Sequence, residues 1–297
     1  KLRNKRIKNG SVIIEKKEVG VQFKNNEPLK AYTKEPLPTN RLIEEFMLLA
    51  NQAVCSYFTK KSNGVFRVHD RPDSEKLKLL VSFLQKMDIH HSLDNKKLAK
   101  SINNLLQGIK GSENQYLINQ LILNAMAKAE YSSKNIGHFG LGFQNYSHFT
   151  SPIRRYPDIL VHRILESVLS KQPNGIINLE EKCRQSSKQE RIAIKAEREY
   201  LRFLLIWLIK DRVGEICNAR IISIKEWGVY AELDKYLCEG MISLSYLKRV
   251  GNFYYDTKKN KMINKLTGES LSFGDNISVK IDKINLERSE LDLTINE

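Results

Sequence analysis

The chain has 297 residues, 41% hydrophobic and 28% charged, enough for two domains and a sizeable core. No apolar run approaches the length of a membrane-spanning helix, so a helical membrane protein is excluded. The formal net charge of +15 favours a polyanionic partner, nucleic acid before membrane because no basic amphipathic helix stands out, although a generically basic surface would carry the same charge.

The chain opens at Lys1 on KLRNKRIKNG, basic but without an apolar h-region, so it reads as no signal peptide and as a piece of a longer polypeptide. Residues 1 to 38 read as polar and irregular, with weak strand patches at SVIIE and VGVQF and a proline-rich exit, EPLPTN. From Asn40 a strong helix begins, with Leu42, Ile43, Phe46, Leu49, Ala50, Ala53, Val54 and Tyr57 at helical spacing. Its opposite face carries Glu44, Glu45, Asn51 and Gln52. FRVHDRPD reads as a short strand and a turn. A helix follows Asp73, and two more are expected at about 95–109 and 113–130. GHFGLGF is glycine-punctuated and cannot be helical throughout. Another helix starts after Pro157, and a long one with mixed charges runs from about Leu179 to Asp211, solvated or groove-lining over much of its surface. At Val213 the pattern changes to short β-rich runs, GEICNARIISI, WGVYAEL, GMISLSYL, NISVKIDKI and SELDLTI, which predict a small antiparallel barrel. The four cysteines, Cys55, Cys183, Cys217 and Cys238, are scattered without a C-x-x-C pair. Structural zinc and a disulfide framework are therefore not expected, and a reducing cytoplasm is the default.

HFTSPIRRYPD, residues 148 to 158, sets two arginines between two prolines. Each proline pushes the residue before it out of the α region, so the stretch is extended or a turn that feeds a helix. Extended backbone would send Arg154 and Arg155 to opposite sides. One arginine can then face a cleft while the other anchors to the protein. The helix N-terminus is itself an anion site, which Asp158 would complement or cap. An arginine fork beside a helix N-terminus suits phosphate. Pairing of both arginines with internal carboxylates is the competing reading.

Residues 131 to 165, YSSKNIGHFGLGFQNYSHFTSPIRRYPDILVHRIL, closely resemble the signature of the ribonuclease II/R family of exoribonucleases. RLIEEFMLLAN, FRVHDRPDSEKL and the run from Cys183 through ERIAIKAERE fall in the family's order. The β-rich end resembles the S1 RNA-binding domain that closes those enzymes, and NFYYDTKKNKMINKLTGESLSFGD is closer to the R branch. The resemblance covers essentially the whole chain. It implies an α+β fold: the C-terminal part of an RNB-type catalytic domain, mainly helical, over 1–212, then an S1-like OB-fold barrel over 213–297.

The resemblance also implies roles. The family's catalytic arginine falls on Arg154, contacting the phosphate beside the scissile bond. Arg155 has a weaker claim, and Tyr156 belongs with it as an RNA-binding residue. A family glutamate that contacts the 3′-terminal nucleotide maps to Glu44 or Glu45, and the match does not choose between them. Trp227 and Tyr230 occupy the aromatic places of an S1 RNA face, with Ser243 where a histidine usually stands. Strand alternation puts 227 and 230 on opposite faces unless the Gly228 region bulges. Ile13 and Ile14 stand where a stacking aromatic is common. His138, His148 and His162 suit no zinc site and read as packing or backbone-bonding residues.

The family's reaction needs Mg²⁺ on clustered aspartates, expected upstream of this chain, and Asp70 and Asp73 do not make such a cluster. No metal ligand is therefore assigned here. The implied whole is a cytoplasmic 3′–5′ exoribonuclease, a monomeric catalytic unit that processively hydrolyses RNA with a single-stranded 3′ end to nucleoside 5′-monophosphates. Association with an RNA helicase or the ribosome is compatible with it, and a membrane partner is not expected. The alternative is a non-catalytic RNA-binding protein that keeps the channel and the S1 domain without the metal site. A translation-factor-like S1 protein would leave residues 40 to 200 unexplained.

Overall fold

A computed structural model describes residues 1–14, 18–35, 37–87, 89–91, 93–112, 114–173, 175–257 and 259–296. Glu15 of SVIIE and Pro36 of EPLPTN lie outside the described residues. The chain divides into two compact units, one of residues 1–16 and 36–193, the other of 17–35 and 194–297.

The first unit opens with a helix where the sequence suggested irregular chain, α1 (Leu2–Lys8). Residues 11–14 of the SVIIE patch are not a strand. α2 (Pro38–Thr59) starts on a proline near its first turn, where the missing N–H is no loss. β3 (Phe66–Val68) pairs antiparallel with β4 (Glu130–Ser132). Asp73 caps α3 (Ser74–Lys86) by accepting from the N–H groups of Glu75 and Lys76. α4 (Leu98–Gly108) and α5 (Gln115–Ala125) follow, the latter shorter than expected because β4 takes residues from 130 onward. α6 (Tyr156–Ser170) and α7 (Leu179–Trp207) complete the helical set, α7 running past the division between the units.

Two cores hold the first unit. One packs Leu80 and Leu84 of α3 against Ile102 and Leu105 of α4 and Ile118 and Ile122 of α5, and Ile14 leans on it. The other joins Cys55 and Phe58 of α2 with Val65, Val68, Tyr131, Leu160, Ile164 and Cys183. The buried positions of α2 are Leu48, Asn51, Cys55 and Phe58. These lie on the side opposite the apolar stripe expected from the sequence. Leu42, Ile43, Phe46, Leu49 and Tyr57 are instead exposed, so α2 is apolar on two faces and this unit covers one of them.

The second unit is a closed barrel of β5 (Ile216–Lys225), β6 (Gly228–Leu233), β7 (Glu239–Ser243), β11 (Asn276–Asn285) and β12 (Glu290–Ile295), in the order β11-β12-β7-β6-β5. Its neighbours run antiparallel except β12 and β7, which meet in parallel at Asp292 and Met241, so the barrel is not wholly antiparallel. Ile221, Val229, Ala231, Leu233, Ile281 and Leu293 fill its interior. The SLSYL end of the GMISLSYL run is helical, α8 (Leu244–Gly251). β8 (Phe253–Asp256), β9 (Lys261–Asn264) and β10 (Ser270–Leu271) then form a separate three-stranded sheet. The hairpin of β1 (Glu18–Lys24) and β2 (Glu27–Lys34) turns at Asn25 and Asn26, both with positive φ, as a two-residue hairpin demands. Its Val19, Val21 and Ala31 pack against the barrel core. The four cysteines are buried and free. No described helix is long and apolar enough to cross a membrane.

Candidate nucleic-acid interface

The arginine stretch is a turn fixed at several points. Asn51, buried on α2, receives the N–H groups of Phe149 at 2.9 Å and Thr150 at 3.2 Å, and donates to the Tyr146 hydroxyl at 3.0 Å. The Phe149 carbonyl accepts from His162 Nε2 at 2.9 Å, and the two rings stack at 4.1 Å. His148 Nδ1 and the Tyr131 hydroxyl share a hydrogen bond of 2.9 Å. The N–H groups of Arg154 and Arg155 both turn back to the Ser151 carbonyl, so Ser151–Arg154 is a tight turn rather than a strand. Only Arg155 is extended, with φ −131° and ψ 115°, before α6 begins.

The two arginines part at that turn. Arg155 reaches inward and donates to Oδ1 of the fully buried Asp158 at 2.8 Å. The same oxygen accepts from the Ser151 N–H at 2.8 Å. Asp158 thus ties the turn to the helix instead of capping α6, and its carboxylate fills the helix's first turn that could have received an anion. Arg154 points out with the exposed Ile153 and Tyr156, and no carboxylate lies within ion-pair distance of it among the described residues.

The glutamates divide in the same way. Glu45 meets the buried Arg6 of α1 at 2.5 Å, and Arg6 also donates to Ser11 Oγ at 2.8 Å. Glu44 stands 4.0 Å from Arg6 with 61% of its side chain exposed. Glu45 is therefore committed to a structural pair and Glu44 is accessible.

The histidines serve packing. His138 stacks on His69 and accepts from the Leu141 N–H. Burial, then the neighbouring His69 and Arg67, pushes its imidazolium down to about 3. Burial, then Arg155 and Arg67, pushes His148 down to about 2. Both are neutral at ordinary pH. Arg67 itself is clamped by Glu190 through bonds of 2.7 and 3.0 Å and lies over the Tyr131 ring.

Asp70 and Asp73 line an open cleft of about 940 Å³ together with His69, Arg71 and Lys76. Their carboxylates are already engaged, Asp70 with the Arg71 N–H and Asp73 with the start of α3. Among the described residues no group of three or more His, Cys, Asp or Glu could hold a metal. The donors present do not fit the Mg²⁺ site that the family reaction implies.

On the barrel, Trp227 lies in the turn before β6, not within the strand. Its indole N–H donates to the Tyr230 hydroxyl at 3.0 Å, so both rings share the outer surface while Val229 and Ala231 face the core. The strand-alternation argument fails because Trp227 precedes the strand. Gly228 makes the turn possible: a Cβ there would sit 2.4 Å from the Ile242 carbonyl oxygen. Ser243, across from Gly228, caps α8 through the Tyr246 N–H.

The RNB domain model matches residues 1–171 and the S1 RNA binding domain residues 210–296. The chain belongs to the RNB, or ribonuclease II/R, family. Ribonuclease R of Aquifex aeolicus is 33% identical over 276 residues, covering 91% of this chain and 39% of that protein. Ribonuclease R of Thermotoga maritima is 32% identical over 309 residues, covering 100% and 43%. The structure of Mycoplasma genitalium RNase R in complex with ribose methylated single-stranded RNA superposes with a TM-score of 0.92 at 25% identity, covering 99% of this chain and 48% of that one. The chain therefore spans less than half the length of each of these relatives. Within the RNB match, sequence reasoning missed Asn51 and Arg6. The i, i+3, i+7, i+10 spacing of Leu48, Asn51, Cys55 and Phe58 was the available signal for Asn51. Arg6 carried none, because a basic, polar opening stretch conceals one buried cation.

Proposed function

We propose that this chain is the RNA-gripping part of a 3′–5′ exoribonuclease that processively hydrolyses RNA to nucleoside 5′-monophosphates. Arg154 contacts the phosphate beside the scissile bond, Glu44 the terminal nucleotide, and Trp227 with Tyr230 stacks on the incoming strand. Arg155 and Glu45 hold the scaffold, and Tyr156 offers a second ring beside Arg154. The functional division runs 1–212 and 213–297. Mg²⁺ is held by carboxylates that this chain does not carry, and the setting is cytoplasmic. The observation behind the reading is the contrast within the Arg-Arg pair. A turn anchored at every backbone point leaves one guanidinium unengaged, which suits a bidentate phosphate contact. The single-stranded RNA present with the M. genitalium relative supports RNA as the ligand.

The test is to incubate the chain with labelled single-stranded RNA and Mg²⁺. Binding without release of mononucleotides is expected, and steady release would refute the division of labour. In the complete enzyme, Arg154→Lys keeps the charge but loses the planar fork, so single-turnover hydrolysis should fall about a hundredfold. RNA affinity, measured separately in Ca²⁺, should change little. Unchanged turnover would remove Arg154 from the reaction.

A further inference from the structure

α2 is a 22-residue helix with apolar side chains on opposite sides. Leu48, Cys55 and Phe58 face the unit's core, whereas Leu42, Phe46, Leu49 and Tyr57 are 54%, 54%, 46% and 41% exposed, with Ile43 at 57% beside them. Positions 42, 46, 49, 53 and 57 follow i, i+4, i+7, i+11 and i+15, a continuous stripe along five turns. A helix apolar on both sides is built to be covered on both. Scattered exposed leucines would need no explanation, but this contiguous stripe on one helix does.

We infer that this stripe is the seat of the portion of the ribonuclease fold that the relatives have and this chain does not carry. The chain accounts for 39% of the A. aeolicus relative and 48% of the M. genitalium structure, so more than half of each lies beyond it. The exposed stripe belongs to the same helix as Glu44 and Asn51, the first the proposed nucleotide contact and the second the anchor of the arginine turn. Docking on α2 would therefore place the missing carboxylates beside the phosphate arginine in the same folding step. The inference rests on family membership and on the proposed division of the reaction between this chain and the remainder.

The experiment uses the remainder of the catalytic fold from the same source, expressed as a separate polypeptide and mixed with this chain. Association is read by sedimentation velocity and RNA binding by a separate titration of the chain alone. A one-to-one complex is expected. The double change Phe46→Lys and Leu49→Lys should weaken it about tenfold or more, and so should the milder Phe46→Ala with Leu49→Ala. Neither pair should lower the melting temperature of the chain alone, since these side chains cover nothing within it. Association untouched by the substitutions would overturn the assignment. So would self-association of the chain through the stripe, no complex at all, or a fall in the chain's own melting temperature. RNA binding by the chain alone tells a failure of this docking from a failure of the RNA reading.

Discussion

Replacing Arg155 with alanine removes the cation that faces a fully buried carboxylate, and Asp158 keeps only the Ser151 N–H. Breaking a buried pair by deleting one partner costs roughly 3–5 kcal/mol. Arg155→Ala should therefore lower the urea midpoint sharply, whereas Arg154→Ala should leave it almost unchanged and reduce RNA affinity instead. Equal loss of stability for both would contradict the inward and outward assignment. The buried histidines give a pH signature. His138 and His148 hold folded values near 3 and 2, well below the ordinary imidazole value near 6.5. Below pH 6.5 the unfolded chain binds protons that the folded chain refuses, so stability falls as pH drops and is fully retained above that point. Each histidine contributes about 1.4 kcal/mol per pH unit between roughly pH 6 and 3. Urea unfolding at pH 7 and pH 5 measures the slope, and His148→Gln should remove about half of it.

At the scale of elements, the rim of the barrel separates binding from folding. Trp227 is 58% exposed and supports no core residue, so Trp227→Ala should weaken single-stranded RNA binding by about 1–3 kcal/mol without shifting the melting temperature. Tyr230→Phe takes the acceptor from the indole N–H and should weaken binding less, because the ring remains. Gly228→Ala acts oppositely. Its methyl would strike the Ile242 carbonyl across the β6–β7 ladder, so melting should fall before RNA affinity is affected. A loss of melting temperature in Trp227→Ala would show that the indole supports the barrel. α2 offers a parallel comparison, in which Leu48→Ala empties a core position and should cost about 2–5 kcal/mol, while Leu49→Ala one residue later should cost little.

For the whole molecule, the excess of 15 positive charges should make RNA binding strongly dependent on salt. Each phosphate neutralised releases counterions and contributes a slope of about −0.7 in log K against log salt for single strands. The slope should exceed that of one or two contacts. A nearly flat dependence would argue against a nucleic-acid ligand altogether, and a steep slope that survives Arg154→Lys would show that the general field and the specific fork are separate contributions.

The family, the order of the helices and the β-rich end were legible in the sequence because they rest on local patterns: helical spacing, proline and glycine punctuation, and one long signature. The phosphate arginine was legible in the same way, from the S-P-I-R-R-Y-P stretch. Which glutamate is accessible was not, since adjacent helix residues differ only in what stands beside them, and Arg6 comes from a helix about forty residues away. The burial of Asp158, the shared face of Trp227 and Tyr230 and the role of Asn51 were likewise decided by contacts between distant segments. The apolar stripe of α2 was read correctly as a burial surface but not for this unit. Periodicity shows that a face must be covered, and only the tertiary structure shows by which neighbours.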